Sequence, residues 1–244
     1  SAYFKLSPSA GNTIKLTGTL NNLATIPTTG AQTVFGQSGA GDVLASFSAI
    51  PNKYNFELLA TAGKWTIGNS LSGTKAGFIL NGGTLDTAGF DMGTAGDSED
   101  ARFNGGTFTN SGTTTSTVRG AGVYFTQSTT ISTPNATGHL DLSKVGYTYG
   151  STIAGITITK TGPGDLHFRS SFTDAGATPS FYPKDYIVNV SAGNLWYDNY
   201  SNAGGFAGTY SIATGSTMYL NIPTTKNVTG NITGGGSVVL KTSA

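Results

Sequence analysis

The stretch Phe78-Ile79-Leu80-Asn81-Gly82-Gly83-Thr84-Leu85 returns further along the chain as Ala101-Arg102-Phe103-Asn104-Gly105-Gly106-Thr107-Phe108, with Asn104 in the place of Asn81. Each copy sets an apolar residue before Asn-Gly-Gly and a Thr-apolar pair after it. Asn-Gly and Gly-Gly supply the positive-φ conformations at which a strand turns onto a new face. The interval from Asn81 to Asn104 is the length of one coil of a solenoid, in which stacked coils bury a face that no single repeat can bury alone. The pattern predicts an all-β chain wound as a parallel β-helix, with Leu80 stacked on Phe103 and Leu85 on Phe108. Asn-Gly-Gly also reads as a hairpin turn, which would pair the segments flanking it with each other.

The rest of the chain agrees with strands. No window longer than about ten residues keeps the helical period, whereas short alternating runs are frequent. Thr13-Ile14-Lys15-Leu16-Thr17, Ile156-Thr157-Ile158-Thr159 and Tyr186-Ile187-Val188-Asn189-Val190 are examples, interrupted by Gly, Asn and Pro. Charged residues are 10% of the chain, against roughly a quarter in an average soluble domain. Polarity comes instead from hydroxyls and amides, which suit strand faces and turns. Hydrophobic residues at 37% suffice for a packed core and argue against disorder. One elongated domain over 1–244 is expected, with irregular loop insertions and a soft boundary near 145–155.

Net charge is +1, with no basic stripe to meet phosphates, so nucleic acid is not an expected partner. Cysteine is absent, which removes disulfides and thiolate metal sites. No apolar run approaches the ~20 residues of a membrane helix, so no membrane span is expected. The chain opens Ser1-Ala2-Tyr3 without an initiator Met. Together with the low charge, this gives the expectation of an extracellular or cell-surface protein whose signal peptide has been removed.

A second similarity joins Gly155-Ile156-Thr157-Ile158-Thr159-Lys160-Thr161 to Gly236-Ser237-Val238-Val239-Leu240-Lys241-Thr242 and aligns Lys160 with Lys241. The first copy continues as Gly162-Pro163-Gly164-Asp165-Leu166-His167-Phe168. This segment resembles the autotransporter-associated β-strand repeat, which runs apolar-x-Lys-Thr-Gly-x-Gly-x-Leu-x-apolar. Val188-Asn189-Val190-Ser191-Ala192-Gly193-Asn194-Leu195 resembles the Ala-Gly-x-Leu element that follows in that repeat. The chain departs from the pattern in the long segment from Arg169 to Lys184 and in Ser243, which stands where the first copy has Gly162. The resemblance implies a passenger-type right-handed β-helix outside a bacterial cell and no particular catalytic activity. It places Ile158, Leu166 and Phe168 with Leu80, Leu85, Phe103 and Phe108 in the repeating core.

Residues able to carry chemistry are few. His167 reads as an exposed strand residue between Leu166 and Phe168, and His139 has only Asp141 nearby. A polysaccharide-cleaving enzyme needs an acid and a base flanking one sugar bond. Asp86 and Asp91 are the candidates on one solenoid face, without a basic or aromatic partner set. Gly96-Asp97-Ser98-Glu99-Asp100 offers Asp97, Glu99 and Asp100 as candidate Ca²⁺ ligands, with a solvated loop as the alternative. The calcium-binding Gly-Gly-x-Gly-x-Asp pattern is absent, and no other cofactor is expected. Sequons at Asn135, Asn189, Asn199, Asn227 and Asn231 are a common accident in a Ser/Thr-rich chain. The run Trp196-Tyr197-Asp198-Asn199-Tyr200 suits core or subunit packing better than sugar stacking.

A solenoid has two open ends carrying unpaired strand edges. The expected function is a secreted, non-enzymatic structural protein that joins copies of itself head to tail into an extracellular filament or surface layer. Tyr3, Phe4, Leu6, Val238, Val239, Leu240 and Lys241 are the expected interface. In that expectation Lys241-Thr242 begins the motif that Lys160-Thr161 begins internally, and the Ser1–Leu6 segment of the next copy stands in for Leu166–Phe168. The alternatives are a monomeric adhesin or passenger fragment binding surface polysaccharide, and a polysaccharide lyase or hydrolase.

Overall fold

A computed structural model describes residues 2–6, 13–19, 32–37, 42–49, 55–60, 63–68, 70, 76–93, 100–119, 122–143, 155–169, 186–198, 208–222 and 230–242, with only the backbone for strands before Lys64. The chain is a β-solenoid of parallel strands, with no helix among the described residues. Three parallel sheets form it. Sheet A holds β1 (Ala2–Leu6), β3 (Gln32–Gln37), β5 (Asn55–Ala60), β7 (Ala76–Leu80), β9 (Asp100–Asn104) and β12 (Gly122–Gln127). Sheet B holds β2 (Thr13–Thr19), β4 (Asp42–Ala49), β6 (Lys64–Ile67), β8 (Thr84–Asp86), β10 (Thr107–Thr109), β13 (Thr129–Ser132), β15 (Ile156–Thr161), β17 (Tyr186–Val190), β19 (Thr209–Ile212) and β21 (Asn231–Gly234). Sheet C holds β11 (Ser116–Val118), β14 (Leu140–Ser143), β16 (Leu166–Arg169), β18 (Asn194–Asp198), β20 (Thr217–Ile222) and β22 (Ser237–Thr242).

Sheet B is the common element. Toward the N-terminus the coil alternates between sheets A and B, and toward the C-terminus between B and C. From β9 to β14 it visits all three in turn. The expected soft boundary at 145–155 lies outside the described residues except for Gly155, and β13 pairs directly with β15 across it.

Alternation along each strand sends every second side chain inward. Parallel pairing then stacks these positions into columns. Leu80, Phe103 and Phe125 form one on sheet A. Phe103 stacks on Phe125 with ring centroids 5.1 Å apart and meets Phe108 at 4.9 Å. Trp65, Leu85, Phe108, Ile131, Lys160, Val190 and Ile212 form another on sheet B. Leu80, Leu85, Phe103, Phe108, Ile158, Leu166 and Phe168 are all buried.

Asn81-Gly82-Gly83 and Asn104-Gly105-Gly106 are corners between sheets A and B, not hairpin turns. Their flanking strands pair with other rungs and not with each other. A Cβ added to Gly106 would sit 2.6 Å from the Gly83 carbonyl oxygen, so successive corners stack backbone on backbone. Rung length varies. The step from Leu85 to its partner Phe108 is shorter than the steps from Ile131 to Lys160 and from Lys160 to Val190.

The similarity between the Lys160 and Lys241 segments does not relate equivalent positions. Ile156–Thr161 lies in sheet B and Ser237–Thr242 in sheet C. Lys160 is fully buried, whereas Lys241 is exposed. The register equivalents of Lys160 are Val190 and Ile212. Within the chain, β1 belongs to sheet A and β16 to sheet C.

Candidate functional site

Two polar constructions stand out, one inside the coil and one outside it. The inner one follows the corner from sheet B to sheet C. Asp86, Thr87, Asn110, Ser116, Thr133 and Lys160 are buried along it. A buried polar group is costly unless bonded, and these bond to the backbone or to one another. Asp86 Oδ1 accepts from the Ala88 and Ser111 amides at 2.9 Å each, joining two rungs. Lys64 Nζ lies 2.6 Å from Asp86 Oδ2. Burial alone would raise the Asp86 pKa, but the hydrogen bonds from Lys64, Ser111 and Ala88 bring it below the ordinary aspartate value. Asn110 Nδ2 donates to the Thr114 and His139 carbonyls at 2.8 Å each. Ser116 Oγ donates to Thr87 Oγ1 at 2.7 Å, and Thr133 Oγ1 to the Gly164 carbonyl at 2.7 Å.

Lys160 occupies an inward position between Ile131 and Val190. Its Nζ donates to the carbonyls of Thr161 (3.0 Å), Gly162 (2.7 Å) and Ala192 (3.0 Å). The three N–H bonds of an ammonium are thus matched by three acceptors on two rungs. Burial lowers its pKa to about 8, and the charge of Asp165 opposes that shift. The lysine of the repeat-like motif is therefore a corner strut.

The outer construction covers the solvent face of sheet C. Asp141, His167, Trp196, Tyr219 and Val239 occupy one register column, with Arg169 opposite Asp198 beside it. Arg169 Nε and Nη2 reach Asp141 Oδ2 at 3.0 and 2.9 Å. His167 Nδ1 lies 2.8 Å from Asp198 Oδ2. Asn194 Nδ2 and Trp196 Nε1 donate to the two oxygens of Asp165 at 2.8 and 3.1 Å, and the Asp165 amide donates to His139 Nδ1 at 3.0 Å. Asp198 would be raised by burial, but the hydrogen bond and charge of His167, with Arg169 and Asn221, hold it below its ordinary value.

The rings form a ladder. His167 and Trp196 stack at 5.4 Å, Trp196 and Tyr219 at 3.8 Å, and Lys241 Nζ lies 4.2 Å over the Trp196 ring. A sugar platform needs a free ring face, and the Trp196 faces are covered by His167 on one rung and Tyr219 on another. Tyr197 points the other way into the core, edge-on to Phe168 and Tyr210. This face is a zipper that ties five rungs together.

Asp86 and Asp91 are not a catalytic pair in this geometry. Asp86 is fully buried, and Asp91 Oδ1 accepts the Thr117 amide at 2.8 Å. Both carboxylates cap the next rung. Asp97 and Glu99 lie outside the described residues, and only the backbone of Asp100 is described, in β9. Among the described residues no group of three or more His, Cys, Asp or Glu is placed to hold a metal ion. Tyr3, Phe4 and Leu6 lie in β1, whose side chains are outside the described set. Of the sequon asparagines, Asn135 Nδ2 donates to the Ser111 and Gly112 carbonyls, Asn189 is half-buried in β17, Asn231 is exposed in β21, and Asn199 and Asn227 are not described.

Val238, Val239 and Leu240 are 39, 36 and 62% exposed, although Met218 and Leu220, opposite Val238 and Leu240, are fully buried. Among the described residues, β21 and β22 stand last in the strand orders of sheets B and C. No family model, no curated protein and no solved structure matches this chain.

The sheet C zipper escaped sequence reading, although Asp165-Leu166-His167-Phe168-Arg169 alternates polar and apolar residues. The pairing of Leu166 with Leu195 spans a rung longer than the interval between the two Asn-Gly-Gly corners, so that interval does not reveal it.

Proposed function

We propose that this chain is a structural β-solenoid of the cell exterior that joins copies of itself head to tail through sheet B. The observation that carries the reading is β22, where Val238 and Leu240 are exposed opposite the buried Met218 and Leu220 of the preceding rung. Sheet B has an edge strand at each end of its strand order, β2 and β21. Strand addition between them keeps the parallel hydrogen-bond ladder, and a heterologous contact of this kind propagates into a filament. The order of sheets supports the same joint. β22 in C followed by β1 in A and β2 in B repeats the succession seen from β9 to β14. The interior also suits a load-carrying element, because its buried polar side chains are committed to bonds between rungs. The autotransporter-type resemblance adds the extracellular setting.

The joint sets Thr233 of one copy against Thr13 of the next, on the two edge strands of sheet B. A Thr13→Cys/Thr233→Cys chain should give a ladder of disulfide-linked multimers on mild oxidation and filaments by electron microscopy. Leu240→Lys should weaken both. A chain that stays monomeric at every concentration, without cross-linked multimers, overturns the reading and leaves the monomeric adhesin in its place.

A further inference from the structure

The outer face of sheet B differs in kind from that of sheet C. Thr84, Thr107, Thr130 and Thr159 stand directly opposite one another on four consecutive rungs, and Asn189, Ser211 and Thr233 continue the column. A second column beside it includes Ser132 and Thr161, which also pair. All point outward, being half-buried or exposed. From β10 to β21 no outward described residue of this sheet is charged or aromatic. Charge is concentrated on sheet C, in Asp141, His167, Arg169, Asp198 and Lys241, with Asp165 in the turn before β16.

The hydroxyls of the two faces of the fold are also used differently. Those of Thr87, Ser116 and Thr133 inside the coil are bonded. Among the described residues, the hydroxyls of Thr84, Thr107, Thr130 and Thr159 have no partner. They form a row of unused O–H groups, each beside a methyl, on a backbone fixed by ladders on both sides, whereas the outward hydroxyls of Thr161 and Thr233 donate to the Ile131 and Tyr210 carbonyls. The row repeats every ~4.8 Å, the spacing between rungs.

We infer that this face binds the ordered water lattice of an ice surface. A rigid, uncharged row of hydroxyls and methyls, repeated from rung to rung, is matched by a partner that is itself rigid, neutral and periodic. Ice presents water oxygens at comparable repeats, as donors and acceptors in fixed positions. A polysaccharide surface is the less suitable partner, since sugar rings are met by aromatic faces or charged groups, and among the described residues from β10 to β21 this face has neither. The inference is independent of end-to-end joining, because the array lies along the coil and not at its ends.

The test is nanolitre osmometry and ice-recrystallisation assay of the full chain, with Thr107→Lys, Thr130→Lys and Thr159→Lys made singly and checked for folding by circular dichroism. The expected result is a gap between melting and freezing points with faceted crystals. That gap should fall several-fold in each folded variant and stay unchanged in Lys241→Gln on the opposite face. Absence of any effect of the unmodified chain on ice growth overturns the inference, as does full activity in the folded lysine variants. Retention on chitin or cellulose powder that the same variants abolish, without ice activity, overturns it in favour of a crystalline polysaccharide.

Discussion

Replacing Gly138 by Ala probes how tightly successive rungs meet at the corner between sheets B and C. Gly138 is not held at positive φ, so the substitution is a steric test alone. An added Cβ would lie 2.1 Å from the Gly112 carbonyl oxygen, and one on Gly164 would lie 2.3 Å from the Gly138 carbonyl oxygen. The obstructing atoms are backbone, so no side chain can rotate away. Relief requires the two rungs to part by about 1 Å. Parting strains the flanking ladder bonds from the Ser116 amide to the His139 carbonyl and from the Asn110 amide to the Ser132 carbonyl, both 3.0 Å. Overpacking costs about 1–3 kcal/mol, and weakening two backbone bonds adds about 1 kcal/mol each. The sum is roughly 3–5 kcal/mol, or a fall in Tm of about 10 °C for a chain of this length. Gly155→Ala is the control. Gly155 has φ +83° but nothing within 4 Å of the added methyl, so only the left-handed conformation is penalised, at about 1–2 kcal/mol. Thermal and urea unfolding followed by circular dichroism would measure both. A Gly138→Ala chain within about 1 kcal/mol of the parent, or one no worse than Gly155→Ala, would refute the backbone-on-backbone corner.

Phe103→Ala should cost about 3–5 kcal/mol in urea unfolding, since the ring is buried between Leu80 and Phe125 and touches Phe108. Asp86→Ala should cost about 2–5 kcal/mol, because the Ala88 and Ser111 amides lose their acceptor. The Asp86 contribution should be complete above its unfolded pKa and disappear as pH falls through its lower folded value, so the parent and variant should converge in stability at strongly acid pH. Lys160 works in the opposite range. Its folded pKa is about 8 against 10.5 when unfolded, so the unfolded chain binds more protons between those values. Stability should therefore rise with pH from about 8 to 10.5, by at most about 3 kcal/mol. Lys160→Met should abolish that rise, and an identical pH profile in the two chains would contradict the buried-ammonium assignment.

The corner positions and the first core column were legible in the sequence because Asn-Gly-Gly marks a turn and the apolar residues around it recur at one rung length. Leu80, Leu85, Phe103 and Phe108 follow from that pattern alone. Lys160 was half legible. Ile156, Ile158 and Lys160 alternate and so share the inward face, but a charged residue there is expected to point to water unless its acceptors are known. Those acceptors come from the carbonyls of Gly162 and of Ala192 on the next rung, which only the three-dimensional path brings together. The equation of Lys160 with Lys241 failed because local alternation is the same in every sheet and carries no information about which sheet a strand joins. Sheet membership depends on cumulative rung length, and the longer rungs from Ile131 to Lys160 and from Lys160 to Val190 break the count that the Asn81-to-Asn104 interval suggests. The acidic pair Asp86 and Asp91 looked like chemistry because both are carboxylates near a corner. Corners are where the next rung's backbone amides need acceptors, and both side chains serve that need.

Parallel in-register stacking on sheet B underlies the core columns, the lysine strut, the threonine face and the proposed end-to-end joint. The absence of cysteine makes it directly testable. Thr107 and Thr130 are directly opposed on β10 and β13, and adjacent strands lie about 4.8 Å apart, a separation that a disulfide spans. After mild oxidation the Thr107→Cys/Thr130→Cys chain should form an intramolecular disulfide in nearly all molecules. The Thr107→Cys/Ile131→Cys chain, whose two positions face opposite sides of the sheet, should form none. Efficient cross-linking of the second pair, or failure of the first in a folded chain, would contradict the register.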